Sequence, residues 1–197
     1  ALTAFTTGHS NTAVGYQAGS EITSGTQNVF IGYQAGESST DTNNTIAIGN
    51  DAGRDGDLGD YTTIMGVYAG LNSTGASNVL LGYKAGFAIG ATTSTVLIGS
   101  EAGDAINSTD ANGTVAIGFK AGSAITSGIG NIAIGYQALD AEDDGDFNTA
   151  IGYQALSAQT GVSGEVGNTA VGYQAGLAVT TGTQNTLMGY HVGKALL

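Results

Sequence analysis

The 197 residues contain no cysteine, proline or tryptophan, and only four lysines and arginines. Without cysteine there can be no disulfide scaffold. Without proline the 34 glycines cannot belong to a collagen-like helix, which needs glycine at every third place and abundant imino acid. The four cations, Arg54, Lys84, Lys120 and Lys194, are scattered among sixteen acids, for a formal charge of −12. No basic patch is present to neutralise phosphates, so a nucleic-acid partner is not expected. The acidic balance also disfavours anionic membranes. No apolar run approaches the roughly 20 residues of a spanning helix, so no membrane insertion is expected. The opening ALTAFTTGHS lacks the basic and apolar regions of a secretory signal. The two histidines, His9 and His191, sit near opposite ends and offer neither a metal cluster nor a His-based triad within one chain.

What is present is repetition. NTAVGYQAG occupies residues 11–19 and recurs letter for letter at 168–176. The glycine after a large aliphatic residue appears eleven times, at Gly15, Gly32, Gly49, Gly66, Gly82, Gly99, Gly118, Gly135, Gly152, Gly172 and Gly189, most often 17 residues apart. A fixed period too short for a helical hairpin indicates a solenoid with one β-coil per repeat. With 41% apolar and 10% charged residues the chain has the means to bury a core. The expected fold is all-β: a parallel β-solenoid of about eleven ~17-residue coils, forming a single repeat domain over residues 1–197. At ~4.8 Å per coil the rod would be roughly 50 Å long.

Three places before the glycine every copy carries Val, Ile or Thr, as in Val29, Ile46 and Thr149, and one place before it stands a large aliphatic or methionine, as in Ile31, Ile48 and Ile151. Residues two apart share a strand face, and these two columns are expected to point into the coil. Between them lie Ala13, Phe30, Ala47, Ile64, Leu80, Leu97, Ala116, Ala133, Ala150, Ala170 and Leu187. Apolar residues on both faces mean a sheet covered on both sides. The middle column is therefore expected to face other copies of the chain in an obligate homo-oligomer. An alanine column three places after the glycine and a second glycine one place further on mark a turn, the latter at positive φ, with Leu139 and Leu156 as exceptions. A short second strand is expected to close each coil. The longer spacings in 104–113 and 157–167 are expected to protrude, and in repeat arrays such insertions gather on one face. The opening residues match the tail of a further repeat and neither end carries a polar cap, so the chain reads as a piece of a longer fibre.

Phrases such as NTIAIGNDAG (44–53), GTVAIGFKAG (113–122) and GNIAIGYQAL (130–139) resemble the YadA-like head repeat of trimeric autotransporter adhesins. The fuller NTAVGYQAG is more similar to phage tail-fibre repeats, and the 17-residue period and recurring Tyr-Gln depart from the adhesin head. The resemblance implies a left-handed β-roll, assembly as a homotrimer and a role in attachment. The leading functional expectation is a structural and receptor-binding segment of a virion tail fibre that presents, or itself contacts, a host-surface glycan or protein receptor. The alternative is the head of a bacterial surface adhesin, extracellular and binding host or matrix surfaces. An ice-binding solenoid is remote, because the loop threonines form no regular array.

After the glycine runs an aromatic column, Tyr16, Tyr33, Tyr83, Phe119, Tyr136, Tyr153, Tyr173 and Tyr190, beside Gln17, Gln34, Gln137, Gln154 and Gln174. Rings at the coil spacing favour a stacked ladder with amide bonds running along it, and a glycan-binding strip is the functional counterpart. Acids cluster in RDGDLGD (54–60) and DAEDDGDF (140–147). The second begins like a calcium loop, but its twelfth position would be Ile151 rather than a bidentate Glu, so an EF-hand is excluded and a looser Ca²⁺ site is the residual reading. Asp143 and Asp144 fall in one short turn without a substrate groove, so no catalytic residues and no cofactor are expected and the protein reads as a non-enzyme.

Overall fold

A computed structural model describes residues 1–4, 6–160 and 163–193. Phe5, part of the 157–167 insertion, Lys194 and most of the closing GKALL lie outside the described residues. The fold is a parallel β-solenoid of about ten turns with ~17-residue coils and almost no helix. Eleven three-residue strands stack into one sheet: β1 (Thr12–Val14), β2 (Val29–Ile31), β3 (Ile46–Ile48), β4 (Thr63–Met65), β5 (Val79–Leu81), β6 (Val96–Ile98), β7 (Val115–Ile117), β8 (Ile132–Ile134), β10 (Thr149–Ile151), β12 (Thr169–Val171) and β13 (Thr186–Met188). All pairings are parallel and keep the repeat in register, so that Val29 pairs with Ile46 and Ala133 with Ala150. The expected second strand forms only as β9 (Gly145–Asp146) and β11 (Gly164–Glu165), which pair with each other. Elsewhere among the described residues the closing half is turn, still tied to the next coil by backbone bonds such as Thr23 N–H to Thr40 O at 2.8 Å.

The strand faces are the reverse of the sequence expectation. The middle column is the solenoid's own core: Phe30, Ala47, Ile64, Leu80, Leu97, Ala116, Ala133, Ala150 and Ala170 have no exposed surface, Leu187 is nearly buried and Ala13 packs against the cluster. These residues therefore have no side-chain area left for a partner chain. The β-branched and large aliphatic columns on either side point outward, and Val14, Ile31, Met65 and Met188 are openly exposed. The reason is geometric: in a three-residue strand only the central side chain points opposite to its neighbours, and a narrow coil has room for one inward strand side chain per turn.

The rest of each interior is filled by the alanine column, buried in ten coils, and by residues four and seven places after the glycine. Sizes compensate within a coil. Phe30 shares its coil with Gly36 and Ser39, and a Cβ on Gly36 would strike the Phe30 ring. Ala133 and Ala150 share theirs with Leu139 and Leu156, both fully buried. These two leucines adopt φ 52°, the left-handed conformation that Gly19 and Gly36 hold in their coils at 55° and 60°, as expected for the corner. The compensation is partial, since Leu80 with Ile89 and Leu97 with Ile106 place two large side chains where Ala116 with Ile125 places one, and the in-register strand pairing keeps the outside columns aligned.

The insertions are anchored rather than wholly protruding. In 104–113, Ile106 and Ala111 are buried on either side of an exposed tip, and a 3₁₀ turn, Thr109–Ala111, is capped by the Ser108 hydroxyl accepting from Asp110 N–H. In 157–167, Gln159 and Val166 are buried. No helix among the described residues is long and apolar enough to cross a membrane.

Candidate interaction face and aromatic ladder

The outward face of the sheet carries two residues from each of eleven strands, from Thr12 and Val14 to Thr186 and Met188. All are Val, Ile, Leu, Met or Thr, and none is charged. In the interior strands most of them are half-buried, Ile31 and Met65 being the exceptions, because each shields the next along the stack. The stripe is about 50 Å long and ~10 Å wide, on the order of 500 Å² of contiguous apolar surface. The formal charge of −12 is carried elsewhere in the chain, and this stripe is free of charge.

The aromatic column does stack, in two runs. Tyr16 and Tyr33 lie with centroids 5.3 Å apart. Phe119, Tyr136, Tyr153, Tyr173 and Tyr190 form a continuous pile with centroids 5.0–5.3 Å apart and planes within 22°. Asn50, Val67 and Ser100 interrupt the column, and Tyr83 between them meets Tyr68 edge-on at 6.4 Å. Within the long pile each interior ring has both faces covered by its neighbours, which leaves edges and hydroxyls to solvent. Sugar recognition by tyrosine uses the ring face, so the geometry favours the ladder at Tyr136, Tyr153 and Tyr173 over a glycan strip there.

The neighbouring glutamines bond along the axis as expected: Gln34 Nε2 to Gln17 Oε1 at 3.4 Å, Gln154 to Gln137 at 3.3 Å and Gln174 to Gln154 at 2.8 Å. Each of these residues holds a left-handed backbone, with φ between 49° and 53°. The same column carries Lys84, Glu101 and Lys120 in successive coils, and Lys120 Nζ reaches Glu101 at 3.3 Å. Lys84 and Lys120 also lie over Tyr83 and Phe119, 5.5 and 5.6 Å from the centroids.

A third ladder escaped the sequence reading. The residue just before each strand is Asn or Thr, and it is buried in coil after coil. Asn28 Oδ1 accepts from Thr45 N–H at 2.9 Å while its Nδ2 donates to Thr42 O at 2.6 Å. Asn131 repeats this with Asn148 N–H and Gly145 O, and Asn168 with Asn185 N–H and Gly182 O. Each side chain satisfies a buried donor and a buried acceptor of the next coil, which backbone pairing cannot reach where the chain leaves the turn. The recurring Asn before the strand was the available signal.

Two positions earlier another column caps the preceding coil. Asn43, Asp60, Asn112 and Asp146 accept from the backbone N–H of Thr26, Asn43, Thr93 and Ile129 at 2.7–3.0 Å. With Asp57, which accepts twice from Thr40, and Asp55, ion-paired to Arg54 at 2.6 Å, these contacts account for all three acids in 54–60 as structural. Arg54 also reaches Asp51 at 3.2 Å, and its neighbour Asp55 is held below the ordinary carboxylate range by that guanidinium.

The 140–147 acids differ. Glu142, Asp143 and Asp144 each bring a carboxylate oxygen within 4.8 Å of the others. Asp143 and Asp144 are adjacent in one turn, with Asp144 N–H donating to Asp143 Oδ1 at 2.9 Å, and partial burial together with Asp143 raises the Asp144 carboxyl above its ordinary value. The His9 ring lies in hydrogen-bond reach of the neighbouring Ser10 hydroxyl, and His191 stacks on Tyr190 at 4.0 Å, far along the rod. No family model, curated protein or solved structure matches the chain.

Proposed function

We propose that this chain is a rod-forming segment of a trimeric fibre, left-handed in its coil, that spaces and presents a host-attachment tip on a virion and is not itself an enzyme. The observation that carries the reading is the uncharged outward stripe on an in-register stack of eleven strands. A stripe of this size is comparable to the largest apolar patch on a typical monomer, a size at which such patches commonly serve interaction, and a straight face that repeats every coil is self-complementary with parallel copies of itself. Three copies packed stripe to stripe would bury it and turn the acidic turns outward. The phrase NTAVGYQAG and the Tyr-Gln ladder, similar to phage tail-fibre repeats, favour the virion setting. The head of a bacterial adhesin, which shares the phrasing of 130–139, is the second reading.

Sedimentation equilibrium tests the assembly, with a trimer expected. Ile134→Asp, on the outward face of β8, should give a monomer with the same β-rich circular dichroism. A wild-type chain that stays monomeric and soluble at ~100 µM would overturn the proposal. Antibodies raised to the purified segment then decide the setting: labelling of virion fibres supports the proposal, and labelling of intact bacterial surfaces supports the adhesin.

A further inference from the structure

We propose that the turn at Glu142, Asp143 and Asp144 binds one divalent hard cation of the Ca²⁺ class. Glu142 stands seven places after Gly135, an interior position occupied in other coils by Ile22, Ile89, Ile106 and Ile125. Its side chain is completely buried. One carboxylate oxygen, Oε1, accepts from Asp143 N–H at 3.2 Å and Gly145 N–H at 2.9 Å. The other, Oε2, is buried and has no hydrogen-bond partner among the described residues.

An ionised carboxylate placed in a core is costly unless a counter-charge or a full set of donors meets it. Glu142 has an incomplete set, and the charged groups beside it are two more carboxylates. The ion pairs of the described residues engage Arg54 and Lys120 elsewhere, with Asp51, Asp55 and Glu101. Three carboxylate oxygens no more than 4.8 Å apart match ligands gathered around one ion, since calcium–oxygen distances of about 2.3–2.6 Å put opposite ligands roughly 5 Å apart. Other acids of the chain have structural work: Asp60 and Asp146 cap the preceding coil, and Asp55 pairs with Arg54. Water would complete the coordination, and three carboxylates without a dedicated loop suggest a dissociation constant on the order of 10⁻⁴–10⁻³ M.

Calorimetric titration of the EDTA-treated protein with calcium chloride at pH 7, paired with thermal melts in the same buffer, tests the site. One ion per chain and a saturable rise in melting temperature are expected. Asp143→Asn combined with Asp144→Asn, both at the surface, should weaken binding at least tenfold and remove the rise while leaving the fold intact. Glu142→Gln should melt higher than wild type in EDTA and respond little to calcium. Absence of binding heat and of any melting shift at ~10 mM calcium would overturn the proposal. So would an equal shift in the double variant, which would mark general screening of an acidic chain.

Discussion

The glycine that follows each strand but the last has no room for a side chain. At Gly135 the backbone holds φ 135°, and a Cβ there would lie 2.6 Å from the Gly152 carbonyl carbon of the next coil. The clash is with main chain, which cannot rotate away, so Gly135→Ala should cost about 3 kcal/mol or more. A denaturant melt that moves by less than 1 kcal/mol would contradict the stacking described (~1 kcal/mol being a typical single-site effect). Leu139 shows the other way to satisfy a corner. It tolerates φ 52° because its side chain fills the interior that Ala133 leaves empty, and Leu139→Gly should relieve the backbone yet lose about 1–4 kcal/mol in packing. The glycine column itself was legible from its spacing. The left-handed backbone at Gln17 and its equivalents was not, because glutamine gives no sign of the positive φ it adopts there.

At the scale of the coil, sequence alternation showed that both strand faces are apolar but could not tell which is inside. The distinguishing sign is variability. The inward column ranges from Ala to Phe, because each coil can balance it with Gly36 or Leu139, whereas the outward columns stay uniform because they meet neighbours of fixed spacing. The middle column was therefore misread as the partner-facing one; the apolar face left outward is the opposite one. The aromatic ladder was legible and its breaks give it a graded energy. Tyr153 stacks on two rings and Tyr16 on one. With ~0.5–1.5 kcal/mol per aromatic pair, Tyr153→Ala should lose about 1–3 kcal/mol and Tyr16→Ala about half as much. Equal small losses, together with weakened binding on a glycan array, would restore the sugar strip.

Taken whole, the molecule is an acidic rod whose stability should improve on mild acidification. Burial and Glu101 raise the Asp104 carboxyl, burial raises Asp140, and partial burial with Asp143 raises Asp144. Each binds its proton more tightly folded than unfolded, so stability grows as pH falls through the folded values and levels off near the ordinary 3.8. Asp55 works in the opposite sense: its pairing with Arg54 contributes above 3.8 and is lost as pH falls through its lowered value. Melts at low salt without divalent ions should therefore peak well on the acid side of neutrality, near pH 3.8, and a steady fall from pH 7 to pH 4 would contradict this. The stacked coils have one more consequence. Because the strand pairing repeats at the same height in every coil, a gene that duplicates or drops one 17-residue unit changes the reach of the product by about 5 Å and leaves the remaining strands in register, so its length can drift in evolution like a ruler gaining or losing marks.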